Sequence, residues 1–150
     1  MHKDLDRRIV EHLQREGRIS LRELARRLNV SSATVGNRIS ELEARGVIRG
    51  YKALVDYEKL GYPITTVILI KARGNQIPKL VEELKQSDDR LTHIYEITGE
   101  FDILVIGKFR DQESMNREIK RLLSHPAIER TNTSIVLSVA KEEAPVGVWD

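Results

Sequence analysis

The apolar residues of this chain change period at Gly61-Tyr62-Pro63. Ahead of that point they recur at helical spacing, and beyond it they gather in short β-branched runs. A length of 150 residues suits one or two small domains, and the period change is where they divide. The net charge of +2 divides at the same place. Residues 1–62 hold 13 basic against 9 acidic residues, and residues 63–150 hold 12 against 14. A basic front joined to a mildly acidic rear is what an anion-binding module attached to a second unit would show, although so small an excess also suits a solvated surface.

In the front part, Leu5, Ile9 and Leu13 share one helical face, with Asp4 as its expected N-cap and Gly17 as a left-handed stop. Ser20 and Glu23 have the spacing of a capping box, and Ile19 and Leu24 that of a hydrophobic staple. Leu21, Leu24, Ala25 and Leu28 form the buried face that follows, and Asn29 tolerates the positive φ of a turn. Ser31 or Ser32 can cap a third helix, over about residues 32–45, whose inner face is Val35, Ile39 and Leu42 and which Gly46 ends. From Val47 to Asp56, two β-prone runs meet at Gly50, as in a small wing or the first strand of a linker.

Two short helices joined by about three residues predict a helix-turn-helix. A plain three-helix core has the same spacing, so the outward residues carry the argument. Ser31, Ser32, Ala33, Thr34, Gly36, Asn37 and Arg38 are small or hydrogen-bonding, which suits a helix whose backbone approaches the major groove of double-stranded DNA. Arg22, Arg26 and Arg49 are spaced to meet phosphates on either side.

The rear part reads as two strand–helix–strand units. Strands are expected over Thr65–Ala72, Thr92–Thr98, Phe101–Phe109 and Thr133–Val139. Helices are expected around Ile77–Leu84 and, after Asp111, around Met115–Leu123. This βαββαβ order predicts an α+β ferredoxin-like domain with an antiparallel sheet and both helices on one face. The other face needs cover, and a second copy of the chain is the natural one.

Several chemistries have no residues to carry them. Without cysteine there are no disulfides, thiolate nucleophiles or Cys-based metal sites. His2, His12, His93 and His125 lack metal-ligand spacing, and no P-loop, G-x-G-x-x-G or G-x-S-x-G occurs. We therefore expect no catalytic residues, no metal, no cofactor and no enzyme. No apolar run is long enough to span a membrane, and the expected location is cytoplasmic.

The chain resembles the Lrp/AsnC, or feast/famine, transcriptional regulators over roughly residues 4–142. The resemblance is carried in the first two helices by Leu5-Asp6, Ile9, Gly17-Arg18-Ile19-Ser20 and Leu24-Ala25. Ser31, Thr34-Val35, Arg38-Ile39, Leu42-Glu43 and Gly46-Val47-Ile48 extend it through the third helix. Gly50-Tyr51, Ala53, Asp56 and Leu60-Gly61-Tyr62 follow, then Thr98-Gly99-Glu100-Phe101-Asp102 and Glu129-Arg130-Thr131-x-Thr133. It implies a winged helix-turn-helix over 1–50, a β-containing linker over 51–63, an effector-binding and oligomerising domain over 64–142, and a tail over 143–150. It also implies dimers assembling into octamers or other even-numbered oligomers, and an amino-acid-type effector at Thr98, Gly99, Glu100, Phe101 and Asp102. In that loop, turn N–H groups can hold a carboxylate while Asp102 or Glu100 receives an ammonium. Thr131 and Thr133 can add hydroxyls, or can simply pack across strands. The function implied is sequence-specific transcriptional regulation under effector control. The alternative is an architectural protein that coats DNA with weak sequence preference.

Overall fold

Serine hydroxyls start two of the three front helices. In the computed structural model, which describes residues 2–87 and 89–147, Ser20 accepts from Glu23 N–H at 3.1 Å and Ser31 accepts from Thr34 N–H at 3.1 Å. These caps open α2 (Leu21–Leu28) and α3 (Ser32–Ala44), which follow α1 (His2–Arg15). The helix α1 begins earlier than its expected cap, so Asp4 stands in its first turn, where its charge complements the helix dipole. Gly17 is not left-handed; the helix closes instead through Glu16 N–H to His12 C=O and Ile19 N–H to Glu16 C=O. Only half of the capping box forms, because Glu23 turns its carboxylate to Arg26 and Arg27. Asn29 does take the left-handed turn, at φ +56°, and places its N–H on the last turn of α2.

Ile9, Leu24, Ala25, Leu28, Val35 and Leu42 close the front core, with Leu5, Val10, Leu13, Ile19 and Ile48 packed around them. Beyond α3 the chain differs from expectation. Residues 45–56 form turns and irregular chain rather than strands. An extended segment needs a partner strand to satisfy its backbone groups, and among the described residues no strand pairs with residues 47–56.

The rear part runs β1 (Ile64–Ala72), α4 (Ile77–Ser87), β2 (Leu91–Glu96), β3 (Ile103–Phe109), α5 (Gln112–Leu123) and β4 (Ile128–Ile135). Its sheet has the order β2-β3-β1-β4, antiparallel throughout, which is the ferredoxin-like arrangement. The last strand lies earlier than expected. It pairs with β1 from Thr66↔Ile135 to Ala72↔Ile128, so the apolar residues that suggested a strand to Val139 leave Leu137 and Val139 exposed.

Alternation divides the sheet into two faces. Ile68, Ile70, Ala72, Ile103, Val105 and Phe109 face α4 and α5, packing against Leu80, Leu84, Met115 and Leu122. Registration puts Val67 and Leu69 of β1, Leu104 and Ile106 of β3, and His93 and Tyr95 of β2 on the other face. Among the described residues of this unit no helix covers that face. At one corner Lys108, 4% exposed, donates to Thr65 Oγ1 at 3.1 Å and lies 4.9 Å from the Tyr57 ring centre.

The chain forms two compact units, residues 55–140 and residues 1–54 together with 141–150. The tail therefore groups with the front unit. Trp149, its most distinctive residue, lies outside the described residues.

Candidate nucleic-acid and effector sites

Helix α3 presents one face to solvent at its N-terminal half. Ser32, Ala33 and Asn37 are exposed, and Gly36 lies between them, its Cα side open enough for a Cβ to meet Leu21 only at 3.8 Å. Ser31 and Thr34 are partly committed, since their hydroxyls bond to each other at 2.8 Å while Ser31 caps the helix.

Arg38 is not on that face. It is 12% exposed and grips Asp6 of α1 with Nε and Nη2, both at 2.7 Å, while Nη1 reaches Glu41 at 2.7 Å. A two-pronged guanidinium–carboxylate pair fixes both side chains, so Arg38 fastens α3 to α1 and has no free edge for a base. The sequence reading missed this because Asp6 sits 32 residues away. The signal was nevertheless present, in an acidic residue on the otherwise apolar-facing side of α1.

The flanking cations differ in how free they are. Arg26 is strongly exposed but bonds Glu23 at 2.8 and 2.9 Å, and Arg27 bonds Glu23 and Glu16, both at 2.8 Å. These two arginines hold the Glu23 carboxyl down to about 2, below its ordinary range. Arg22 and Arg49 are exposed and make no ion pair among the described residues.

In the second unit, the loop between β2 and β3 crosses the end of β1. Gly99 takes φ +111°, a conformation that explains the glycine. Asp102 is held within the sheet: its N–H donates to Ile70 C=O at 2.9 Å, and its Oδ2 accepts from Ala72 N–H at 2.8 Å. Lys71 Nζ approaches its other oxygen at 3.5 Å. Asp102 thus extends the β3–β1 ladder with its side chain and positions the loop.

Thr98, Gly99 and Glu100 are exposed at the tip. Glu100 accepts from Arg130 Nη2 of β4 at 2.6 Å, and the Arg130 guanidinium lies 5.0 Å from the Phe101 ring centre. Arg130 stands beside Lys71 in register, whereas Thr131 and Thr133 stand beside Ile70 and Ile68 and so point to the helix-covered face. Thr133 Oγ1 is sealed there without a hydrogen-bond partner among the described residues. The loop therefore gathers with Arg130, not with the two threonines. The period of two along β4 already separated them, but the register that told which face was which came from β1.

Residues 3–49 match the winged helix-turn-helix DNA-binding family, and residues 65–146 match the Lrp/AsnC ligand binding domain. An uncharacterised HTH-type transcriptional regulator of Pyrococcus furiosus is 46% identical over 140 residues, 93% of this chain and 94% of its own. The HTH-type transcriptional regulator FL11 of the same organism is 34% identical over 145 residues, 95% of both chains. Among solved structures, AsnC of E. coli matches at a TM-score of 0.83 and 28% identity, over 93% of this chain and 94% of that one. A Neisseria meningitidis transcriptional regulator in complex with L-Met matches at a TM-score of 0.83 and 26% identity, over 91% and 90%.

Proposed function

This chain belongs to the Lrp/AsnC family of transcriptional regulators, and from that premise we propose that it binds specific duplex sites under the control of an amino-acid effector. The observation that carries the DNA half is the outward face of α3. Ser32, Ala33, Gly36 and Asn37 offer a close backbone approach and one bidentate amide, free of the ion pairs that occupy the neighbouring arginines. Asn37 reads a base edge, Ser32 and Thr34 contribute hydroxyls, and Arg22, Arg26 and Arg49 meet phosphates. Two copies joined through the open sheet face present two such helices, to half-sites about 34–36 Å apart or a multiple of that distance. Further assembly to an octamer or another even-numbered oligomer follows the family pattern.

The effector half rests on Glu100 and Arg130. A carboxylate and a guanidinium side by side, next to the Phe101 ring, match the ammonium and carboxylate of a free amino acid. The N. meningitidis relative with bound L-Met supports this class of ligand. In the single chain the loop tip is open, so a neighbouring copy completes the pocket.

The test is a selection of bound duplexes from a random pool, followed by competition against random DNA at fixed salt. We expect an enriched site, with Asn37→Ala weakening it by about 1–3 kcal/mol and relaxing one base position. Equal affinity for random duplex would favour the architectural alternative. A thermal-shift screen of free amino acids tests the effector half, with Arg130→Ala expected to abolish the shift.

A further inference from the structure

In the front unit, residues 47–52 belong to no helix or strand, yet they form one wall of a groove whose other wall is α1, at Val10, Leu13 and Gln14. Val47 and Ile48 N–H both donate to Leu42 C=O, at 2.9 and 3.2 Å, and the Tyr51 hydroxyl donates to Glu43 at 3.0 Å. These bonds tie the segment to α3. A tie to α1 runs through the C-terminal tail. Gln14 donates its side-chain Nε2 to Val146 C=O at 3.0 Å and accepts from Val146 N–H at 2.9 Å, as a neighbouring strand would. Three residues earlier, Glu143 accepts from Lys52 on the opposite wall. Glu143 makes this contact from a left-handed backbone, φ +52°, which residues with side chains keep only where their surroundings hold them. Pro145 stands between the two anchors, and its fixed φ limits what the tail gives up on docking.

We propose that residues 143–146 are a strap that positions Arg49 for DNA, with Gln14 and Glu143 as positioning residues that act through it. The inference rests on the reading of Arg49 as a phosphate contact. Arg49 lies on the strapped wall, exposed and without an ion pair among the described residues. By joining Lys52 to α1, the strap sets where Arg49 stands relative to α3 before any duplex arrives. A cation already in place spares the complex the entropy of ordering it. The sign of one charge separates this role from simple electrostatics. Glu143 is an anion, so its removal should strengthen the attraction of a polyanion if charge alone decides. Under the strap, its removal weakens DNA binding.

The test titrates a random-sequence duplex with the full-length protein over a range of salt concentrations. Arg49→Ala is expected to weaken binding severalfold and to shrink the slope of log affinity against log salt by about 1. Gln14→Ala, at an exposed position, should do the same with the melting temperature unchanged, and combining the two should cost little more than either. Glu143→Gln should also weaken binding, and hydrogen exchange over residues 47–52 should quicken in both strap variants. If Arg49→Ala changes neither affinity nor slope, the reading of Arg49 fails and the strap has nothing to position. If Arg49→Ala weakens binding while Gln14→Ala leaves affinity and slope as they were, the strap alone is overturned. Tighter binding by Glu143→Gln, or unchanged exchange over residues 47–52, would overturn it too.

Discussion

Arg38 shows how one contact reassigns a residue. As a basic residue on the recognition helix it reads from sequence as a base contact, yet its guanidinium is bound on two sides by Asp6 and Glu41. Removing it takes the two-pronged guanidinium contact from the Asp6 carboxylate, which is 14% exposed. Arg38→Ala and Asp6→Ala are each expected to lower the melting temperature by several degrees, and the double variant no further than the worse single one. Thermal denaturation of the four proteins checks this; additive losses would show that the pair is not coupled. Any fall in DNA affinity should track the fraction folded. Asn37, by contrast, is exposed and its amide has no hydrogen bond among the described residues, so its substitution should leave the melting temperature within a degree or two. Asn29 was legible from sequence for a local reason, since a left-handed turn selects its residue without reference to the rest of the chain.

Elements were legible where their signals are local, and displaced where pairing decides. The caps at Ser20 and Ser31, the helix periods and the βαββαβ order all follow from neighbours within a few residues. The last strand does not. Its span is set by β1, whose nine residues recruit the polar Glu129-Arg130-Thr131-Asn132 run on the sheet edge and leave Leu137 outside. Gly107 is a similar case. It reads as an ordinary strand residue, but a Cβ there would stand 2.6 Å from the Phe109 ring and 3.0 Å from Thr66 Oγ1. Gly107→Ala should push the Phe109 ring, which is fully buried, out of its site and cost about 1–3 kcal/mol. Chemical denaturation measures the change. A neutral or stabilising result would mean that the ring relocates without loss.

At the scale of the whole molecule, the open sheet face has the composition of an interface core. Val67, Leu69, Leu104, Ile106 and Tyr95 lie together across three strands, and Lys71 and Arg130 stand toward its rim. Burying about 800 Å² per partner there would suffice for a stable dimer. Leu69→Asp places a charge at the centre of that patch and is expected to give monomers by light scattering, with the helix–sheet core intact by circular dichroism. An unchanged mass would put the dimer contact elsewhere. If the open loop at residues 98–102 binds the effector as proposed, the same variant should also weaken an amino-acid response.

The sequence by itself determined the helix-turn-helix spacing, the order of strands and helices, and the family. Each rests on periodicity, capping or turn chemistry, which act between residues close in the chain. The tertiary structure decided the roles of individual charged residues and the strand ends. Arg38 meets Asp6 across 32 positions, Glu100 meets Arg130 across 30, and Gln14 meets Val146 across 132. A guanidinium or amide forms its bonds with whatever the fold brings within about 3 Å, and no local pattern encodes that partner.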